Sequence, residues 1–363
     1  MTPSWNTLDL SLLLNRTRLR EETSMNSVDY GIGKVKKMFF ATEYTDHHGA
    51  EKKCKIEFSM LEITNPTEAE LEGTVQFAFQ HLSPAEFTLR VGAIMQQYQA
   101  GLLDLRGIVQ AKHEGTLVGA MYAQCRPDGT AMLWIPTMAK GFPLEPMFEP
   151  LVQFCRSKNT YAATALADRN QSFDEKAFCS AGQFRFLSDL IHLAAEISPN
   201  ETSDKPYRLQ FVPLPDYSEE VVTRMARLVK ETYRHTLDFP ELMQIAPVEH
   251  VLQGYKSNAF FRPELWFFIQ VENVDVGVLL LTDASPEQIE LTYMGLIESA
   301  RRQGFSREIV RFAKEMTRRW NRQMLLTAVD EKNIPACQVY LSQGFRAWDR
   351  KKVYVRFFET TQK

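Results

Sequence analysis

The sequence predicts a mixed α/β protein, an α+β arrangement of two tandem copies of one unit. Each copy reads as a mixed, mostly antiparallel sheet flanked by helices. Two observations carry this prediction. Short apolar or alternating runs give way repeatedly to stretches with apolar residues on one helical face. The words of the first half also return, in the same order, in the second.

The first patterned element is a strand at 61–63, followed by Asn-Pro66-Thr-Glu-Ala-Glu, good helix-start chemistry for a helix ending near Gln80. Strands are expected at 107–113, 117–125 and 131–136, the last two joined by the turn Arg-Pro-Asp-Gly129. A helix over 144–158, a strand over 161–167 and a strand over 184–193 complete this half, a domain spanning 59–198. Residues 1–58 are polar and irregularly patterned, and read as a poorly ordered extension. Met25 and Met60 are alternative starts to Met1.

A linker-like segment from Ser198 to Pro206 separates the halves, and the second domain spans 206–363. It begins with a strand over 208–212, a long helix over 218–233 and a variable helical region through 255. Strands at 266–271, 276–282 and 289–297 follow. The helix over 304–320 places Phe305, Ile309, Phe312, Met316 and Trp320 on one face. A strand over 324–329, a helix over 334–342 capped by Asn333, and a strand over 345–357 close the chain.

Val118-Gly-Ala-Met-Tyr-Ala is answered by Val276-Gly-Val-Leu-Leu-Leu, and Ala-Thr-Ala-Leu-Ala-Asp168 by Leu-Thr-Ala-Val-Asp330. Ser-Ala-Gly182-Gln-Phe184 is answered by Ser-Gln-Gly344-Phe345. Gly119 and Gly182 stand 63 positions apart, Gly277 and Gly344 67, so spacing as well as wording points to duplication.

The chain has 363 residues, 44% apolar and 24% charged, with formal charge −3, which gives no general electrostatic case for nucleic acid or an anionic membrane as partner. No apolar run near the start is long enough for a signal peptide or a span, so a cytoplasmic address is expected. The five cysteines are scattered with no C-x-x-C pair, and the seven histidines are dispersed; no disulfide framework or metal site is expected.

The stretch from Glu290 to Arg307 carries the most chemistry. It runs from an apolar strand through Arg301-x-x-Gly304-x-Ser306 directly into a helix. A helix N-terminus presents unpaired N–H groups and the positive end of its dipole, so small residues here make a cradle for phosphate or pyrophosphate. This strand and loop resemble motif A of the GNAT-type N-acetyltransferases. Asn333-Ile-Pro-Ala-Cys-Gln-Val-Tyr340-Leu-Ser-Gln-Gly344-Phe345 resembles their motif B, and Val276-Gly-Val-Leu-Leu-Leu the strand upstream. The tandem layout is similar to that of mycothiol synthase, itself a duplicated member of the superfamily.

The resemblance implies acetyl-CoA as donor and no metal. It places the pyrophosphate on Arg301, Arg302, Gln303, Gly304, Phe305 and Ser306, with Arg307 beside them, and the pantetheine arm along Met294 and Leu296. Asn333 falls where the family often contacts the cofactor; as a residue it equally reads as a helix cap. Tyr340 matches the tyrosine that donates a proton to the departing thiolate, and Glu290 is the candidate base for the amine. The row Arg307, Arg311, Lys314 and Arg318 reads as a solvated helix face. The acceptor pocket is expected over 233–255, where Arg234, His235, Thr236, Asp238 and Glu241 supply polar groups.

The first half lacks Arg-x-x-Gly-x-Gly/Ser, and Pro136 and Pro143 interrupt its run of N–H donors. Counting back from Gly182 sets Phe178 opposite Tyr340. This half is expected to be a degenerate copy that supports the other or shapes its acceptor site. The implied activity is transfer of an acetyl group to the amine of a small molecule or peptide, by a monomer or homodimer. The alternatives are a tandem fold using aminoacyl-tRNA as donor, and a non-catalytic CoA-binding regulatory or scaffold protein.

Overall fold

The computed structural model describes residues 35–39, 59–169, 171–198, 205–243, 245, 247–256 and 261–358. The first half runs β1 (Val35–Phe39), β2 (Ser59–Thr64), α1 (Glu68–Phe79), α2 (Pro84–Gln99), β3 (Ile108–His113), β4 (Thr116–Cys125) and β5 (Thr130–Trp134). It continues through β6 (Thr137–Met138), α3 (Glu145–Ser157), β7 (Ala162–Asp168), α4 (Glu175–Gly182) and β8 (Arg185–Glu196). The second half repeats the order. It comprises β9 (Gln210–Pro213), α5 (Glu219–Thr232), α6 (Pro240–Met243), α7 (Val248–Lys256), β10 (Trp266–Val271), β11 (Val274–Ser285) and β12 (Gln288–Leu296). α8 (Phe305–Arg319), β13 (Met324–Asp330), α9 (Ile334–Ser342) and β14 (Arg346–Phe357) complete it.

Among the described residues the strands join one sheet of 14, in the order β1-β2-β3-β4-β5-β7-β14-β8-β13-β12-β11-β10-β9, with β6 paired to β4 off this path. Neighbours are antiparallel except β5 with β7 and β12 with β13. Those two parallel pairs are the ones bridged by a crossover helix, α3 and α8 respectively, as parallel pairing requires.

At the centre the halves exchange strands. β8, the last strand of the first half, pairs over its second half with the whole of β13, from Glu196 opposite Met324 to Leu190 opposite Asp330. β14, the last strand of the chain, pairs with β7 of the first half, from Lys351 opposite Asp168 to Phe357 opposite Ala162. The cores follow: Ile191, Leu193 and Ala195 of β8 pack with Ile309, Phe312 and Met316 of α8. Tyr354 and Phe358 pack with Phe148, Leu151 and Phe178 of the first half. The two units therefore share their final strands rather than standing as beads on a linker.

Helix ends follow local chemistry. Thr67 and Glu70 form a capping box on α1, as do Ser83 and Glu86 on α2, which also carries Pro84 in its first turn. Asn333 caps α9, its side chain accepting from the Ala336 N–H at 3.3 Å. α8 buries Ile309, Val310 and Ala313 completely.

Two expectations are corrected, and one helix falls where no element was expected. That helix is α2, its apolar face broken by Gly92 and the buried Gln97. Within the extension expected to be irregular, Val35–Phe39 is a strand on the edge of β2; the rest of 1–58 lies outside the described residues. Arg311 is not on a merely solvated face, because it stacks over Tyr207 at 4.2 Å and donates to the Pro206 carbonyl. Most of the linker expected at 198–206 also lies outside the described residues.

Candidate active site

The parallel pairing of β12 with β13 ends at Glu290 opposite Leu326. Beyond it β12 stays on β11 and β13 on β8, so a wedge opens between two strands of one sheet. A bulge sharpens the divergence: Leu281 faces Leu291 and Leu280 faces Tyr293, leaving Thr292 as the extra residue. Thr292 meets Thr282 hydroxyl to hydroxyl at 2.7 Å. Met294, half-buried, lies beyond the bulge. Leu296 closes the strand, and its carbonyl accepts from Arg301 Nε at 3.0 Å.

The loop at the wedge mouth is anchored by Arg301. The Arg301 guanidinium donates to the carbonyls of Leu296, His235 and Thr232, and its backbone N–H to Glu298 at 3.2 Å. Arg301, expected against the cofactor, is thus turned inward and fixes the loop to the end of α5. Arg302 and Gly304 hold left-handed backbones, φ 63° and 81°. Among the described residues nothing accepts from the N–H groups of Arg302, Gln303, Gly304, Phe305 and Ser306. Arg307 donates its own to the Gly304 carbonyl and leaves an exposed guanidinium beside the loop.

One carboxylate sits in this first turn, Glu308, and it is neutralised in place. The Arg208 backbone N–H reaches it at 2.8 Å and Arg208 Nε at 2.6 Å. The same guanidinium stacks on Phe305 at 4.7 Å and donates to the Gln303 carbonyl at 3.0 Å. The mouth therefore keeps its positive potential, and a Cβ at Gly304 would meet only Arg208 Nη2, at 3.5 Å. Five open N–H groups at the start of a long helix fit a pyrophosphate.

Tyr340 of α9 is 4% exposed and packs on Phe345 at 5.4 Å. Burial pushes its phenol well above the ordinary value, against a hydrogen bond with Thr327 that works the other way. Thr327 donates in turn to the Leu291 carbonyl at 3.1 Å, at the apex of the wedge. Glu290 stands at that apex on the opposite face from Ile289 and Leu291. Among the described residues no hydrogen bond or cation meets its carboxylate, and burial pushes its pKa up to about 7. Asn333 is spent on capping, as one of its two expected roles required.

Asp238 is the residue on which sequence reasoning placed too little weight. It lies between α5 and α6 and accepts the Asp330 N–H at 3.1 Å. Burial first, then the nearby Asp330 charge, raises its pKa to about 6, and its charge is felt at Tyr340, Tyr293 and Cys337. The signal that could have found it is a carboxylate in the acceptor loop; its partner across 92 positions had none. Asp330, 1% exposed, accepts from Ser188, from the Phe239 N–H at 3.2 Å and from the Lys332 N–H at 2.9 Å. Glu241 of the acceptor loop pairs with Arg185 on β8. Leu242 and Phe239 pack on Leu187, Val353 and Val355 of the exchanged strands. The first half thus forms the floor beneath the segment from Asp238 to Leu242.

The same geometry recurs in the first half without its donors. The Ala139 N–H donates to Val118, as Ile297 does to Val276. The connection onward to α3 is two residues shorter than that to α8, with Pro143 and Pro146 lacking an N–H. At the end of α4 the register corrects one expectation. Phe184 donates to the Cys179 carbonyl as Phe345 donates to that of Tyr340, both at 3.1 Å. The left-handed residue is Gln183 in one case and Gly344 in the other. Cys179, not Phe178, stands where Tyr340 does; Phe178 is a fully buried core residue.

No group of three side chains suited to a metal ion occurs among the described residues, and none of their helices is long and apolar enough to cross a membrane. Residues 227–345 match the family model described as acetyltransferase (GNAT) family. No curated protein matches the chain. The structure aligns with a GCN5-related N-acetyltransferase from Sphaerobacter thermophilus at TM-score 0.52 and 14% identity, covering 82% of this chain and 95% of that one. It also aligns with a tandem GNAT protein from the clavulanic acid biosynthesis pathway, at TM-score 0.44 and 14% identity over 83% and 100% of the two chains. A putative acetyltransferase from Pyrococcus horikoshii aligns at TM-score 0.43 and 13% identity over 87% and 95%.

Proposed function

We propose that this chain, whose residues 227–345 belong to the GNAT family, transfers an acetyl group from acetyl-CoA to the amine of a small molecule or peptide. The second half is the catalytic unit in this reading. The observation that carries it is Glu290, a carboxylate with no partner among the described residues, poised near neutrality at the apex of the wedge. A base needs that pKa and that lack of competing hydrogen bonds.

Acetyl-CoA, when bound, supplies the acetyl group as a thioester. The N–H groups of residues 302–306 hold its pyrophosphate, with Arg302 and Arg307 adding positive charge. Met294 and Leu296 border the pantetheine arm. Glu290 takes the proton that the acceptor amine must lose. Tyr340, kept protonated by burial, holds a proton at its phenolic oxygen for the departing sulfur. Asp238, whose charge reaches Tyr340 and Tyr293, offers the negative charge that an ammonium seeks.

The test is turnover with acetyl-CoA over a panel of amines, read as released thiol, beside the melting temperature with CoA. Binding of CoA to wild type, its loss in Gly304→Glu, and turnover lost in Glu290→Gln support the reading. No stabilisation of the wild type by saturating CoA would overturn it.

A further inference from the structure

We infer that the cleft on the helical side of the first half is a second binding site, built for a small organic carboxylate with a flat apolar body. Every second residue of a strand faces the same side, so β4 presents Arg126 there just past its end, β5 presents Trp134, and β7 presents Asp168. Arg90 on α2, Phe79 at the end of α1 and Lys351 on the exchanged strand β14 complete the wall.

The charges in this cleft do not cancel locally. Lys351 holds Asp168 at 2.6 Å. Glu86 turns back to cap α2 through Ser83. His81 is biased toward its neutral form by burial. Among the described residues no hydrogen bond or ion pair reaches the Arg126 side chain; Asp128 acts on it only as a nearby charge. A half-buried guanidinium without a partner is costly, and its planar fork matches a carboxylate better than any other common group. Desolvation also depresses its pKa, as expected of a cation that lacks a counter-charge.

The apolar wall is equally specific. Trp134 stacks on Tyr122 with ring centres 4.6 Å apart and planes 6° from parallel, and Phe79 meets its edge at 6.1 Å. Arg90 lies 5.9 Å from the centre of the Trp134 ring. A flat body resting on this wall sets its carboxylate toward Arg126. CoA is not the ligand argued for, because Pro143 and Pro146 remove donors from the loop that would have to hold its pyrophosphate.

The test follows Trp134 fluorescence and the melting temperature while benzoate and 3-phenylpropionate are titrated, each against its neutral amide. N-acetylphenylalanine stands in for a peptide C-terminus. Saturable quenching is expected with the free acids and not the amides. It should weaken at least about tenfold in Arg126→Gln, be only partly retained in Arg126→Lys, which keeps the charge without the fork, and lose its reporter in Trp134→Phe. Stronger binding of N-acetylphenylalanine would assign the site to chain ends rather than free acids, overturning the small-molecule form of the proposal. Gly304→Glu, which removes the CoA loop, should leave carboxylate binding unchanged, so failure here and failure of the proposed activity separate cleanly. Arg126→Gln alone should melt no lower than wild type, since it removes an uncompensated charge; a lower melting temperature would point to a structural role. Equal binding of acid and amide, no saturable binding of any probe, or full binding by Arg126→Gln would overturn the inference.

Discussion

Thr327 donates its hydroxyl to the carbonyl of Leu291 at 3.1 Å, across the point where β12 and β13 cease to pair. The bond ties the two sides of the wedge together at its apex. It also fixes the hydroxyl that Tyr340 meets, so the fold's own break supplies that tyrosine's neighbour.

Tyr340→Phe should lower kcat by about 10²–10⁴-fold, the usual contribution of a positioned acid, while leaving CoA affinity nearly unchanged. Thr327→Val keeps the shape and removes the hydroxyl. It should cost about 1 kcal/mol of stability and a smaller part of kcat. Steady-state kinetics and CoA titration of both variants check this. A Tyr340→Phe enzyme with wild-type kcat would remove the residue from the proposed chemistry.

Glu290 sets a pH profile. Its carboxylate, raised to about 7, must be ionised to accept a proton, so kcat/KM should climb through that pH and level off above it. Glu290→Gln should abolish the limb, whereas Asp238→Asn should leave it and raise KM for the amine. Stability moves oppositely. A carboxyl whose folded pKa exceeds its unfolded value holds its proton more tightly when folded, so it destabilises the protein increasingly as pH rises from about 4.5 to 7. Glu290→Gln should therefore raise the melting temperature at pH 8 and have little effect at pH 4. A gain of equal size at both pH values would mean the carboxyl is not the group titrating.

The exchange of β8 and β14 predicts that neither half folds alone. A chain ending after β8 leaves β7 without its β14 partner, and a chain starting at β9 leaves β13 without β8. Each then exposes a long apolar edge, the usual route to aggregation. Co-expressed halves should associate and recover CoA binding. Circular dichroism and size-exclusion chromatography of each half, alone and mixed, test it; a well-folded monomeric second half would contradict the exchange.

The legibility of this chain divides along the range of its interactions. α8 was readable because its cradle, apolar stripe and cap all lie within one stretch, from Arg301 to Trp320. Asn333 was readable as a cap for the same reason. Strand exchange was not, because β8 meets β13 and β14 meets β7 across long stretches of chain, and no local pattern records such a pairing. The pairing of Phe178 with Tyr340 failed because Gly182 is the last residue of α4 and the left-handed turn position that Gly344 fills belongs to Gln183, so counting from the glycine shifts the frame by one. Asp238 gains its character from Asp330, a contact that no local pattern announces.

Arg208 offers the most discriminating test of the pyrophosphate loop. Its guanidinium is 59% exposed, yet it screens a Glu308 carboxylate that is only 11% exposed and lies within the first turn of α8. Arg208→Ala should leave that carboxylate uncompensated beside the N–H groups of residues 302–306, where a pyrophosphate would feel it directly. KM for acetyl-CoA should rise roughly tenfold with kcat little changed, as expected when ground-state binding is lost. Adding Glu308→Gln to Arg208→Ala should restore most of the affinity, because the repulsive charge is then gone. A purely structural role for Arg208 predicts the reverse, since the second substitution would only add damage. The double-mutant cycle in KM separates the two accounts, the sign of its coupling deciding between them.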